Sequence, residues 1–341
     1  MSAAQGRAEF EVARLDAYLR RRMPALAGEM ALQRISGGQS NPTFFVDYAN
    51  RRLVLRKQPP GPILPSAHAV DREHRVMAAL AGTGVPVPRM VLYEADPAVI
   101  GTPFFVMERL EGRVFADCTL PGVAPADRHA MFMAMADTLA RLHAVDVEAV
   151  GLADYGRPGN FFERQIARWT GQWAKSKAED NADVDRLIDW LPRHVPHHER
   201  TAISHGDFRV GNLMFHPTEP RVVGVLDWEL STLGHPMADL AYSALAWRLG
   251  PDEYMGMRGA NLAALGIPDE QAYLERYGAA APGNGRLEPF HVALSLFRLA
   301  VIFEGIGARA RAGQASNDNA AQVAGLSRVF ARRAIEAIEQ G

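Results

Sequence analysis

The sequence predicts an α+β protein of two lobes. An N-terminal lobe over residues 1–108 is built on an antiparallel sheet, and a larger, mainly helical lobe fills residues 109–341. Three observations predict this. Short apolar, β-branched runs separated by turn residues dominate the first third of the chain. Beyond them the apolar residues recur at helical spacing. The length of 341 residues exceeds what one compact core usually holds.

The elements follow in order. Residues 8–23 read as a helix with Leu15, Leu19 and Met23 on one face, and Arg20, Arg21 and Arg22 form its solvated end. Leu32–Asn41, Thr43–Tyr48 and Arg52–Arg56 read as strand, glycine turn, strand, turn, strand. Glycines at such a turn, here Gly37 and Gly38 beside Ser40, let the backbone approach a phosphate closely, although an ordinary hairpin loop looks the same. No Gly-x-x-x-x-Gly-Lys-Ser/Thr occurs, which excludes a Walker loop. The third strand ends in two cations, Arg56 and Lys57, which alternation sends to opposite faces without choosing between them. After Pro59-Pro60-Gly61-Pro62, a helix over Val70–Leu80 carries Glu73, either a solvated charge or a partner for the strand cation. Strands follow at Met90–Glu94 and Phe104–Glu108, the second leading out of the first lobe through Glu111-Gly112. Helices are expected at Met131–His143, Phe161–Lys175, Val184–Leu191, Glu270–Tyr277, Pro289–Ile306 and Ala320–Ile338, with a polar loop at Gly313–Asn319. Asp239, in a helix that follows Gly234-His235-Pro236, reads as a buried structural cap.

Composition narrows the function. Hydrophobic residues make up 48% of the chain, and the net charge of −2 offers nothing for nucleic acid or an anionic membrane. One cysteine, Cys118, excludes an intrachain disulfide and a cysteine zinc cluster. No apolar run is expected to reach the ~20 residues of a membrane span. The N-terminus lacks a signal peptide's order, and Glu9, Glu11 and Asp16 argue against a transit peptide, so a cytoplasmic location is expected.

The chemistry concentrates between His205 and Glu229. Asp207 and Asn212 lie five apart, the spacing of the base and the metal-binding amide in a kinase catalytic loop. Leu213–His216 and Val222–Leu226 read as strands joined by the turn Pro217-Thr218-Glu219-Pro220. A hairpin sets the start of its first strand beside the end of its second, so Asp227 is expected near Asn212. Two carboxylates and an amide suit Mg²⁺, a hard cation that takes oxygen ligands. Either Asp or Asn alone is an ordinary turn former; the combined spacing is the specific signal.

These residues together resemble the aminoglycoside phosphotransferase family, relatives of choline kinase with a protein-kinase-like fold. Within it, Leu55–Gly61, Leu64–His68, Val225–Gly234 and Gly313–Ser316 look like the phosphotransferase-like domain that animals carry fused to an acyl-CoA dehydrogenase. The resemblance implies ATP and Mg²⁺ as cofactors and a small-molecule hydroxyl as acceptor. It implies Asp207 as base, Asn212 and Asp227 as metal ligands, and His205 as a backbone-holding residue. Arg209 is placed near the transferred phosphate, and Arg56 with Glu73 over the nucleotide's phosphates. Ser40, Met107, Glu108 and Leu110 line the nucleotide site, and Glu229 is either a second metal ligand or a solvated charge. Aminoglycoside or choline-type kinases are the alternative acceptor classes, and a nucleotide-binding module without turnover is the alternative of another kind. Asp-Phe-Gly and Ala-Pro-Glu signatures of protein kinases are missing. Arg157–Arg200 holds eight Arg and Lys against seven acids, and Asn284–Gly341 seven Arg against five, a balance that suits a neutral or anionic acceptor better than a polycation. Arg168, Lys175, Arg298 and Arg309 are the candidate cations for it.

Overall fold

The computed structural model describes residues 9–35, 41–61, 68–313 and 323–340. Ser40, the 37–38 glycine turn, most of the Leu64–His68 motif and nearly all of the 313–319 loop lie outside them. The chain forms two compact units, Met1–Gly112 with Val223–Leu230, and Arg113–Val222 with Ser231–Gly341.

In the first unit a five-stranded antiparallel sheet is ordered β1-β2-β3-β5-β4, from β1 (Ala31–Arg34), β2 (Thr43–Tyr48), β3 (Arg51–Lys57), β4 (Met90–Glu94) and β5 (Phe104–Glu108). Helix α1 (Val12–Arg22), shorter at both ends than the sequence expects, lays Leu15, Tyr18 and Leu19 on Phe44, Val46, Leu53, Leu55 and Val106. Those strand residues alternate, so one sheet face is largely apolar and covered by α1. Helix α2 (Val70–Leu80) buries Val70, Glu73, Val76, Met77 and Leu80, a helical stripe interrupted by one acid.

Alternation now assigns the two cations. Lys57 shares the α1-covered face with Leu53 and Leu55, is 1% exposed, and its Nζ lies 3.7 Å from Glu9. Arg56 shares the other face with Val54, and across the register with Phe105 and Met107.

The second unit is mainly helical. Its helices are α3 (Pro125–His143), α4 (Phe161–Ser176), α5 (Ala182–Trp190), α6 (Pro236–Arg248), the single turns α7 (Pro251–Tyr254) and α8 (Leu262–Leu265), α9 (Glu270–Ala280), α10 (Pro289–Arg311) and α11 (Leu326–Glu339). Helix α10 is its axis: Phe290, Leu296, Phe297 and Val301 pack with Phe330 and Ala334 of α11 in one apolar cluster. Truncating one of these large side chains to alanine would cost about 2–5 kcal/mol. The expectation of no long apolar run fails here. Helix α10 has 23 residues, and its best window has a mean hydropathy of 1.6. That window is 78% buried inside the protein, which makes it a core helix.

The hairpin is present, with β7 (Leu213–Phe215) and β8 (Val222–Val225) forming a two-stranded sheet whose turn is closed by the His216 N–H on the Arg221 carbonyl. A second pair, β6 (Ala202–Ser204) with β9 (Thr232–Gly234), has no counterpart in the sequence reading. Three residues are too few to show a period. Strand β6 is what delivers the chain into His205.

Candidate active site

The loop after β6 is pinned from below by one carboxylate. Asp239, 1% exposed on α6, accepts from Ser204 Oγ at 2.9 Å, the His205 N–H at 2.6 Å and the Gly206 N–H at 2.8 Å. His143 Nε2 stands 3.3 Å from it. The donor chain behind is ordered: Asn284 Nδ2 donates to the Tyr277 hydroxyl at 2.8 Å, and that hydroxyl meets His143 Nδ1 at 2.7 Å. The Tyr277 hydroxyl thus bridges Asn284 and His143, and His143 Nε2 is left facing Asp239. Burial alone would raise the Asp239 carboxyl. The hydrogen bond and charge of His143, then His205 and the Gly206 N–H, outweigh it and hold the group below its ordinary value. Asp239 is therefore structural, as expected, but it is not the cap of its own helix. His235 holds that place, its side chain accepting from the Met237 N–H. Gly206 has φ +82°, which lets two successive N–H groups turn to one carboxylate without a Cβ penalty.

Above this anchor sits Asp207. Its N–H bonds to His205 Nδ1 at 3.2 Å, so His205 holds the backbone. Asn212 Nδ2 donates to the Asp207 carbonyl at 2.8 Å and to its Oδ2 at 2.6 Å. Those oxygens only accept, so the amide nitrogen faces them and the amide Oδ1 is turned away. Arg209 Nε lies 3.4 Å from the same carboxylate, and Arg209 Nη1 lies 3.4 Å from Met255 Sδ. Burial disfavours the Arg209 charge, but Asp207 with Tyr254 and Tyr242 raises its pKa above the ordinary value. The Tyr242 hydroxyl also bonds to Asp207. Burial first, then the Asp207 charge, pushes that phenol far up, so it remains a donor. Sequence reasoning missed this role of Tyr242. The available signal was its place three residues after Asp239, on the same helix face.

A cavity of about 40 Å³ opens beside this group, lined by Arg209 and Tyr242 and otherwise mostly by apolar side chains such as Phe132, Met135, Leu249 and Leu299.

The first unit carries the other residues. Arg56 Nε is 2.8 Å from Glu73, and its Nη2 is 3.1 Å from Asp227 and 3.7 Å from Glu229. Asn41 Nδ2 donates to Glu73 at 2.6 Å. One guanidinium thus faces three carboxylates. Burial lifts the Glu73 carboxyl to about 7; Arg56 and Asn41 pull it down, and Asp227 and Glu229 push it up. Asp227 has φ +64°, a left-handed conformation uncommon for a residue with a Cβ. The neighbouring turn is held by Trp228, buried, whose Nε1 donates to the Val225 carbonyl at 2.9 Å. Met107 lies on the Arg56 face of the sheet. The Glu108 N–H bonds to the Arg89 carbonyl and the Arg109 N–H to the Arg52 carbonyl, so both N–H groups are already engaged within the first unit. The Glu108 side chain pairs with Arg89.

Hard oxygen donors are what Mg²⁺ takes; the Asn212 Oδ1 in the second unit and the Asp227 carboxylate in the first are each of that type. Among the described residues no group of three or more His, Cys, Asp or Glu forms an alternative metal cluster.

The sequence matches the model of a family described as "Phosphotransferase enzyme family" over residues 31–282. Mouse "Acyl-CoA dehydrogenase family member 10" is 44% identical over 314 residues, covering 90% of this chain but 29% of that protein. The chain spans less than half the length of the dehydrogenase-named relatives it matches. A Ralstonia eutropha protein of solved structure, named as a candidate aminoglycoside phosphotransferase, is 43% identical, covers 97% of this chain and 99% of its own, and superposes with TM-score 0.88. Aminoglycoside phosphotransferase APH(4)-Ia, solved with AMP-PNP and hygromycin B, shares the fold at TM-score 0.60 and 16% identity, over 94% of this chain and 98% of that one.

Proposed function

Because the chain belongs to the phosphotransferase enzyme family, we propose that it transfers the γ-phosphoryl group of ATP, with Mg²⁺, to a hydroxyl of a small molecule. The observation that carries this reading is the Asp207–Asn212 contact. The amide nitrogen of Asn212 orients the carboxylate, and its oxygen is left for a cation. The AMP-PNP bound by APH(4)-Ia supports a nucleotide as phosphoryl donor.

In this reading Asp207 accepts the acceptor's hydroxyl proton while that oxygen bonds to the γ-phosphorus. The bond from that phosphorus to the β-γ bridging oxygen breaks, and ADP leaves with the electron pair. Asn212 and Tyr242 keep the carboxylate in one rotamer, and Asp239 keeps the loop beneath it from moving. Arg56, oriented by Glu73, carries positive charge for the nucleotide's phosphates. Mg²⁺ held by Asn212 and Asp227 would supply charge neutralisation at the phosphate oxygens. Positioning and electrostatics then supply most of the rate.

For the acceptor we propose a hydroxyacyl chain, free or as its CoA thioester. The near-balanced charge of the helical segments and the acyl-CoA dehydrogenase names of long relatives support it. The test is ATP turnover with a hydroxyacyl-CoA beside kanamycin and choline. Turnover of kanamycin or choline alone would overturn the acceptor and leave the kinase reading standing. Asp207→Asn should lower kcat about 10²–10⁴-fold with Mg·ATP affinity unchanged; wild-type turnover would remove Asp207 from its role.

A further inference from the structure

Four cations were candidates for the acceptor's anion, and the structure separates them. Arg168, Lys175 and Arg309 are exposed. Arg298, on α10, is half-buried, and its Nε is fully buried with no hydrogen-bond partner. Its guanidinium lies 5.8 Å from the Trp169 ring centroid and 5.6 Å from that of Tyr242. Two aromatic faces hold the cation by cation–π attraction, which gives its buried Nε no acceptor. A buried donor without a partner costs on the order of 1–3 kcal/mol. Such a cost persists where a ligand supplies the missing acceptor.

Position gives this donor its meaning. The ring against which Arg298 packs is that of Tyr242, whose hydroxyl bonds to Asp207. One tyrosine side chain therefore touches both the Arg298 guanidinium and the Asp207 carboxylate. The same ring lines the largely apolar cavity beside Arg209.

We propose that Arg298 is the specificity-determining residue of the acceptor site, binding a carboxylate or phosphate oxygen of an acceptor whose hydroxyl rests on Asp207. The inference rests on the phosphotransfer reading for the role of Asp207. The anion site and the hydroxyl site both border the Tyr242 side chain, which limits the acceptor to a short chain passing beside that ring. Arg suits this role better than Lys, since its planar fork stacks on rings and still presents N–H groups to two oxygens.

The experiment compares 3-hydroxybutanoate, 4-hydroxybutanoate and 6-hydroxyhexanoate, and the CoA thioester of the second, with the diols that replace each carboxylate by a hydroxymethyl group. Binding is read by calorimetry on the full chain, and turnover by ADP release. Wild type should prefer at least one acid or the thioester over its diol by tenfold or more, and Arg298→Met should erase that preference. Arg298→Lys keeps a cation between the rings and should retain part of it, which guards against a variant that merely fails to fold. A preference for the free acid assigns the anion to a carboxylate, and one for the thioester assigns it to the carrier's phosphates. Binding that follows Arg298 without any turnover would retire the kinase reading and the role of Asp207 with it, and leave Arg298 as the anion contact. It is overturned if Arg298→Met keeps the wild-type preference, if acids, thioester and diols bind alike, or if none of them binds.

Discussion

Two buried carboxylates, one in each unit, titrate in opposite directions. Glu73 is pushed up to about 7, and Asp239 is held below its ordinary value. Burial works against the charge of both, so burial does not explain the difference. Asp239 collects two backbone N–H groups, a serine hydroxyl and a histidine. Glu73 has the Asn41 amide and one guanidinium that it shares with Asp227 and Glu229. What decides is the count of donors against competing negative charge. The contrast matches the two tasks. In the proposed mechanism the Asp207 loop must hold still, whereas a cluster with surplus negative charge is suited to a cation.

The sharpest way to break the comparison is Asp239→Ala. It strands two N–H groups, Ser204 and His143 in a site without water access, so the protein should lose about 3–5 kcal/mol and its activity together. Urea denaturation checks this; a loss below 1 kcal/mol would mean the loop holds itself. Asp227→Gly should behave in the opposite way. It removes a left-handed Asp and a half-exposed ion pair, two small terms of opposing sign, so stability should move by no more than about 1 kcal/mol. Mg²⁺-dependent ATP binding should nevertheless vanish, and unchanged calorimetric affinity would make Asp227 structural.

Glu73 sharpens the comparison through pH. Its folded pKa lies above its unfolded value, so between about 4.5 and 7 the folded protein holds the extra proton. Stability from this group is therefore full below about 4.5 and declines as pH rises toward 7, on the order of 1 kcal/mol per pH unit. Glu73→Gln should flatten that part of the stability–pH curve in the ligand-free protein. An unchanged slope would show that Arg56 alone keeps Glu73 ionised. The smallest effect is expected at the strand cations. Arg56→Ala should raise the KM for ATP about tenfold, a loss typical of one charge-assisted contact. Lys57→Ala should leave that KM near wild type and act on stability, and steady-state kinetics with the opposite order would reverse the two faces.

Much of this was legible in the chain. The strands Thr43–Tyr48, Met90–Glu94 and Phe104–Glu108 and the helix Val70–Leu80 stand where their periods put them, because each is long enough to show its repeat. Asp207 and Asn212 meet as their spacing implies, because a five-residue separation is local geometry. The strands Ala202–Ser204 and Thr232–Gly234 were not legible. The reach of Asp239 across 34 residues to the His205 N–H was not legible either, since no local pattern encodes so distant a partner.

Arg56 and Lys57 mark the boundary between the two kinds of knowledge. Sequence alone determined that a cation at the end of β3 faces each side of the sheet, because a strand alternates whatever surrounds it. Tertiary structure decided which cation is which. Helix α1 packs Leu15, Tyr18 and Leu19 on the Leu53–Leu55 face, and that face buries Lys57. Arg56 is left on the other, beside Glu73 and Asp227. The reason is physical: alternation is a property of one strand, whereas the identity of the covered face depends on where a separate helix buries its apolar stripe.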